Sequence, residues 1–265
     1  MSLGLCKLFS LLTNNDTPVS TQEDLFGFSN ETPAVARQYQ QDDIDIITGR
    51  FSDSETVYRF CELSINAFDA FVHAWMSELP IEAEIIRYGR RVLAAPDRQS
   101  AERAAVDRSD PDTLTVLNAA LKVQHEIHRM LGLLRFFPDQ EGISLPTVGE
   151  CKEIGYTTPP SAACTYLARC SPDHFVLPAL GEHFTGRFGE TAWAIIDEKR
   201  GLCLSRLPGK QAIIHAGNGF SAASGDEWED LWRHYHKTIN NESRNNPQLQ
   251  RQLMPKRYWK YLPEM

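Results

Sequence analysis

Asp173 and His174 stand side by side where a strand-like run ending at Cys170 gives way to a helix-like run containing Leu177, Leu180, Phe184 and Phe188. A loop imidazole beside a carboxylate can be tuned as a general acid or base near neutral pH, although the same pair also suits an ordinary helix start. With His128 they are the candidate acid–base groups, and His183 follows further on. Metal chemistry has weaker support. His125 and His128 could share a ligand on one helix face, whereas His234 and His236, two residues apart, would point about 200° apart and could not chelate together. No two cysteines are two or three residues apart, so neither a metal nor a cofactor is expected. A Gly-rich phosphate loop, a G-x-S-x-G elbow and a three-cysteine signature of radical chemistry are all missing from the sequence.

A second chemistry, attraction to phosphate, is suggested by the C-terminal stretch. From Asn246 to Leu262 cations alternate with large aromatics, among them Arg251, Lys256, Arg257, Tyr258, Trp259 and Lys260. Cations attract phosphate and flat rings accept stacked bases. The alternative is that Tyr258 and Trp259 anchor in the core while the cations keep the surface soluble. Net charge is -8, which argues against nonspecific coating of a polyanion, so local balance matters. Residues 240–265 hold five cations against two acids, whereas residues 1–60 hold four against nine. Lys199 and Arg200 in the loop 197–201, and Arg129 on a wetter helix face, are further phosphate candidates.

These residues need elements to position them. An apolar opening helix over residues 3–12 is far shorter than the roughly 20 residues of a membrane span. A polar, acidic loop over residues 13–45 follows, with one short helix near residues 34–39. Ser52 and Glu55 have capping-box spacing before Val57, Phe60, Cys61, Ser64, Phe68, Phe71, Val72 and Trp75, which predicts one long helix buried along one face. After Pro80 a helix presents Ile81, Ile85, Tyr88 and Val92 on one stripe and turns Arg87, Arg90 and Arg91 to solvent. Asp110-Pro111 opens another, with His128 bordering its buried stripe and Lys122, His125 and Arg129 on the wet face. From Leu133 short β-type runs begin (133–137, 165–170, 193–196, 202–206 and 211–215), interrupted by a loop over 146–163. Residues 197–201 are the loop of a hairpin. Ser224 and Glu227 repeat the capping box before a helix carrying Trp228, Leu231, Trp232, Tyr235 and Ile239, and Pro247 and Pro255 each open a short helix.

The fold class expected is α+β: a helical N-terminal half, a small, mostly antiparallel sheet with one crossing helix, and a helical C-terminal tail. Residues 1–50 form a helix plus acidic loop region, and 51–265 a single α+β domain with helical (51–132), sheet (133–220) and C-terminal helical (224–265) parts. Six cysteines without a short even framework suit reduced thiols and a cytoplasmic location.

Several segments together resemble one bacterial family. They are Lys122-Val123 with Glu126, His128-Arg129-Met130, Gly132 and Arg135-Phe136; Pro172-Asp173-His174 with Val176-Leu177-Pro178, His183-Phe184 and Arg187-Phe188; Trp193 with Ile195 and Asp197-Glu198-Lys199-Arg200-Gly201; and the tail from Asn246-Pro247 to Lys260. The match, from about Tyr58 onward, is to the "probable DNA metabolism protein" family, a domain of unknown function. Its members are encoded beside a radical-SAM protein of DNA modification or repair, and some are fused to a uracil-DNA glycosylase-like domain. The resemblance implies a role in DNA repair or modification, with single-stranded or damaged DNA and the radical-SAM protein as partners and no membrane. Members begin with a short strand and a Tyr-Asp-Gly type turn, which this chain would lack, and residues 146–163 look inserted. The leading expectation is a nucleic-acid-binding accessory protein acting through the tail. The rivals are a glycosylase-like or hydrolytic enzyme using Asp173, His174 and His128, and a protein-binding scaffold without DNA affinity.

Overall fold

The computed structural model describes residues 3–13, 39–50, 55–138, 144–145, 162–217, 227–239 and 246–263. Most of the loop expected over 146–163 lies outside these residues, as do Ser52 and Ser224 and nearly all of the helix expected near 34–39. The architecture is α+β, and the chain divides into two compact units: Met1–Glu126 with Asp173–Val176, and Ile127–Pro172 with Leu177–Met265.

The first unit is helical. Helix α1 (Leu5–Thr13) buries Leu5, Leu8, Phe9 and Leu12, the i, i+3, i+4, i+7 stripe of an amphipathic helix. The acidic stretch expected as loop contains helix α2 (Gln41–Ile47), whose Asp43 is fully buried. Its Oδ1 accepts the Cys6 N–H at 2.8 Å, capping the first turn of α1 with a negative charge where the helix end favours one. An acidic residue expected in a loop therefore has a structural partner 37 residues away.

The single long helix expected over Val57 to Trp75 is two, α3 (Glu55–Leu63) and α4 (Ile65–Met76). Ser64 separates them. It sits on the expected apolar stripe and is buried, but its backbone is extended and its hydroxyl accepts the Ala67 N–H at 3.0 Å as an N-cap. Serine competes with the helix for its own backbone donors, and here the cap wins. Phe9, Phe60, Phe68 and Phe71 then pack as one cluster, with Phe9–Phe71 centroids 4.7 Å apart.

Helix α5 (Glu82–Leu93) buries Ile85, Ile86, Tyr88, Gly89 and Val92. Gly89 permits close approach, because a Cβ there would come within 2.8 Å of both Leu12 and Phe71. The three arginines expected in solvent instead tie helices together. Arg87 forks onto Asp112 with two bonds of 2.8 Å, Arg90 reaches the Leu11 carbonyl at 2.9 Å, and Arg91 pairs with Asp110 and bonds Thr113 at 3.2 Å. Periodicity identified them as off the apolar stripe but could not show the acids brought opposite.

Helix α6 (Arg98–Val106) was not anticipated, because its buried face consists only of Ala101 and Ala105. Asp97 caps it through the Ser100 N–H at 2.8 Å. Helix α7 (Pro111–Leu133) begins at proline as expected. The Arg91 hydrogen bond is the largest influence holding Asp110 below its ordinary 3.8, at about 2. A depressed carboxyl contributes stability that is fully present above its unfolded value and is lost as pH falls through the folded one. Asp110→Asn should therefore flatten the stability profile between about pH 4 and pH 2. Urea midpoints falling equally with pH in both proteins would contradict this.

The second unit holds a five-stranded sheet, β1 (Phe136–Pro138), β4 (Tyr166–Cys170), β5 (Trp193–Asp197), β6 (Leu202–Arg206) and β7 (Ile213–Ala216), in that order; β2 (Ser144–Leu145) and β3 (Ala162–Ala163) pair separately. All pairings are antiparallel except β4 with β5, whose connection is the crossing helix α8 (Leu177–Phe188). A parallel pair requires such a crossover. Every residue of β5 is buried. On one sheet face Phe184 and Phe188 of α8 meet Phe136 at 4.9 and 4.7 Å, and Trp193 packs behind them. Cys164, Leu167, Ala192, Ala194, Ile196, Cys203 and Leu207 form a second buried cluster. Helices α9 (Glu227–Ile239) and α10 (Pro247–Leu253) and a 3-10 turn (Lys256–Tyr261) follow. Among the described residues no helix is long and apolar enough to cross a membrane.

Candidate functional site

Two constellations hold the chemically capable residues, one in each unit. In the first unit, Glu126 is buried on α7 in the apolar stripe of Val123 and Met130. Its Oε1 accepts the Asp173 N–H at 2.9 Å and its Oε2 the His174 N–H at 2.7 Å. One carboxylate thus holds both residues of the candidate acid–base pair by their backbone. His174 Nδ1 lies 2.9 Å from the Ser77 carbonyl oxygen. A carbonyl only accepts, so Nδ1 carries the hydrogen and the neutral ring keeps its lone pair on Nε2. Phe175, next in the chain, donates its N–H to the Met76 carbonyl at 2.9 Å and stacks on Tyr39 at 3.9 Å. Tyr39 donates its hydroxyl to Glu78, which ends this turn in a left-handed conformation (φ 57°). Such a backbone persists only where its surroundings hold it.

Asp173 itself is exposed, and His174 is half-buried. His128 was expected to border the buried stripe but is exposed, and it belongs to the second unit. Its position beside the stripe rather than on it left room for either outcome. Arg129, expected on the wet face, is half-buried.

In the second unit the hairpin 197–201 forms as expected, because Asp197 organises it from within. Fully buried, it accepts the Lys199 N–H at 3.0 Å and the Arg200 N–H at 3.3 Å through Oδ1, and the Arg200 guanidinium at 2.7 Å through Oδ2. Burial pushes its carboxyl above the ordinary value, against the lowering pull of Arg200. Gly201 supplies the positive φ (62°) that closes the turn. Arg200 also donates to the Pro172 carbonyl at 3.1 Å, and only 5 % of its side chain is exposed, so this phosphate candidate is turned inward. Lys199 is exposed at the tip.

The tail comes to this hairpin through Glu198. Lys260 Nζ lies 3.2 Å and the Tyr261 hydroxyl 2.6 Å from Glu198 Oε2, and Arg169 of β4 lies 3.8 Å from Oε1. Burial acts to raise the Glu198 carboxyl, but the hydrogen bonds from Tyr261 and Lys260 outweigh it and hold it below its ordinary value. Burial and that same carboxylate push the Tyr261 phenol well upward. Of the two readings open for the aromatics, Tyr258 takes the core: it is 2 % exposed, under the Arg257 guanidinium at 4.7 Å. Trp259 is half-buried, its indole N–H bonded to the Met254 carbonyl at 2.8 Å. Arg251, Lys256 and Arg257 are exposed.

Glu126, Arg169, Glu198 and Tyr261 were not singled out for chemistry. Glu126 had one signal, a carboxylate on an apolar stripe, which demands a buried partner. The others had none, since only chain path joins them. A Ser205–His215 pair across β6 and β7 was also missed. His215 Nδ1 donates to the Ala216 carbonyl at 3.0 Å, so Nε2 accepts the Ser205 hydroxyl at 2.9 Å. Ser205 is 1 % exposed, which denies a substrate access to its oxygen. Among the described residues no group of three or more His, Cys, Asp or Glu side chains is placed to hold a metal ion.

A family model described as a domain of unknown function, DUF4130, matches residues 85–264. The chain belongs to that family. No curated protein and no solved structure matches it.

Proposed function

We propose that this member of the DUF4130 family is a nucleic-acid-binding accessory protein of DNA repair or modification, which holds single-stranded or damaged DNA for a radical-SAM partner in the cytoplasm. The observation that carries the reading is the exposure of Arg251, Lys256 and Arg257 on a tail whose Tyr258 and Leu262 are buried. Anchoring fixes the backbone, so binding phosphate does not have to order the whole segment. Trp259 adds a partly accessible ring beside Lys256, whose Nζ lies 5.8 Å from the ring centre. The resemblance to DNA metabolism proteins supplies the class of nucleic acid and the partner.

The test is anisotropy with a labelled single-stranded oligonucleotide over a salt series. Replacing Arg251, Lys256 and Arg257 by Ala should flatten the slope of log K against log salt by about 2, since each single-strand phosphate contact contributes about 0.7. Equal binding and equal slope in the triple variant would sink the reading. A second reading, a DNA-acting enzyme of glycosylase-like or hydrolytic type, is favoured by the bond from His174 Nδ1 to the Ser77 carbonyl, which orients the ring and makes Nε2 the nitrogen available for proton transfer. Uracil-containing and alkylated oligonucleotides left intact by the purified protein would count against it. Co-purification with the radical-SAM protein without any DNA affinity would favour a scaffold instead.

A further inference from the structure

We propose that Arg169, Lys260 and Tyr261 form a phosphate-binding site that the Glu198 carboxylate occupies as an internal anion and vacates when nucleic acid binds. This rests on the nucleic-acid reading above and identifies a contact beyond those of Arg251, Lys256 and Arg257. Three donors from two separate elements, β4 and the 3-10 turn, converge on one carboxylate, with Nη1 of Arg169 at 3.8 Å, Nζ of Lys260 at 3.2 Å and the Tyr261 hydroxyl at 2.6 Å. Guanidinium, ammonium and phenol are all donors that serve a phosphate oxygen as well as a carboxylate oxygen.

The parts differ in their freedom to move. The Glu198 backbone is held by its N–H bond to the Cys170 carbonyl at 2.9 Å, and the turn after it by the bonds from Lys199 and Arg200 N–H to Asp197. The Glu198 side chain extends from this held backbone, and 34 % of it already faces solvent, as does 60 % of Lys260. A phosphate arriving from solvent therefore meets Lys260 first and can displace the carboxylate without disturbing the hairpin. Glu198 keeps the site satisfied when no nucleic acid is present and sets a threshold that weakly held anions do not pass.

Inorganic phosphate is the probe for the site alone, and a single-stranded oligonucleotide for its use. Glu198→Gln keeps an acceptor for Tyr261 while removing the charge, and Glu198→Asp withdraws the carboxylate by one methylene, in case the first variant does not fold. Phosphate should raise the melting temperature of either variant more than that of the native chain, and adding Lys260→Ala should abolish the difference. Glu198→Gln should also bind the oligonucleotide about 3- to 10-fold more tightly at low salt and steepen its salt slope by about 0.7, one further phosphate contact. If phosphate shifts none of the proteins, Glu198 is only a clamp between hairpin and tail and the proposal is overturned. If phosphate acts but no chain binds the oligonucleotide, the site stands for free phosphate and the nucleic-acid reading falls.

Discussion

Glu126→Ala should cost the fold roughly 2–4 kcal/mol, since a hydrogen bond to a charged acceptor contributes about 1.5–3 kcal/mol and two are lost together. The carboxylate is 1 % exposed and accepts the N–H groups of Asp173 and His174 at 2.9 and 2.7 Å. Removing the buried charge returns some desolvation free energy, which tends to reduce the loss. The amides then have to find water, and they lie in a loop only partly buried, so the cost stays below that of two sealed donors. Glu126→Gln keeps one oxygen but turns an NH2 group toward the other amide, and should lose about half as much. Urea denaturation with an unchanged m-value would measure the free energy, and hydrogen exchange would show protection falling first at Asp173 and His174. A loss below about 0.5 kcal/mol, with the amides still protected, would mean that the loop is held by something else. Because the same bonds place the His174 ring beside Ser77, any acid–base activity of His174 should fall with them.

Trp193→Ala is expected to cost about 3–5 kcal/mol, the range for emptying a large aromatic site in a core. Trp193 is fully buried, at the start of the strand whose every residue is buried, with Phe184 at 6.2 Å and Phe188 at 6.4 Å on the crossing helix. Truncation would remove one of the aromatic contacts by which α8 sits on the sheet, beside those of Phe136, and loosen the packing of the parallel β4–β5 connection. Trp193→Phe should behave differently. The indole N–H has no hydrogen-bond acceptor among the described residues. Removing a buried unsatisfied donor recovers about 1–3 kcal/mol, which offsets much of the lost volume, so the phenylalanine variant should lie within about 1.5 kcal/mol of the native chain. Thermal melts of the two variants test the account. A phenylalanine variant as unstable as the alanine one would show that the indole N–H is satisfied or that ring shape alone decides.

What was legible in advance follows the range of the signals. The hairpin 197–201 was readable because Asp197, the loop and Gly201 are neighbours, and α7 because proline and a repeated apolar stripe mark its start and face. The crossing helix was readable from its own periodicity. Helix α6 was not, because alanines alone make its buried face, and α2 was hidden by the acidic residues that it places both outward and, at Asp43, inward. The break at Ser64 was the reverse case: the apolar period runs through it unbroken, and a single cap hydrogen bond outweighs the pattern.

For this protein, local sequence alone determined the α+β class, the order of most helices and strands, the hairpin turn and the cation-bearing tail. Each depends on residues within a few positions of one another, where periodicity and turn chemistry act. Tertiary structure alone decided which charged groups are working parts of the fold. Glu126 reaches Asp173 across 47 residues, and Glu198 collects Lys260 across 62. It also decided that Arg200 points inward, that Tyr258 is an anchor, and that Arg87, Arg90 and Arg91 tie helices together. A charged side chain has the same local signature in solvent and in a buried pair; only the path of the chain brings the opposite charge to it, and desolvation then makes that partner obligatory.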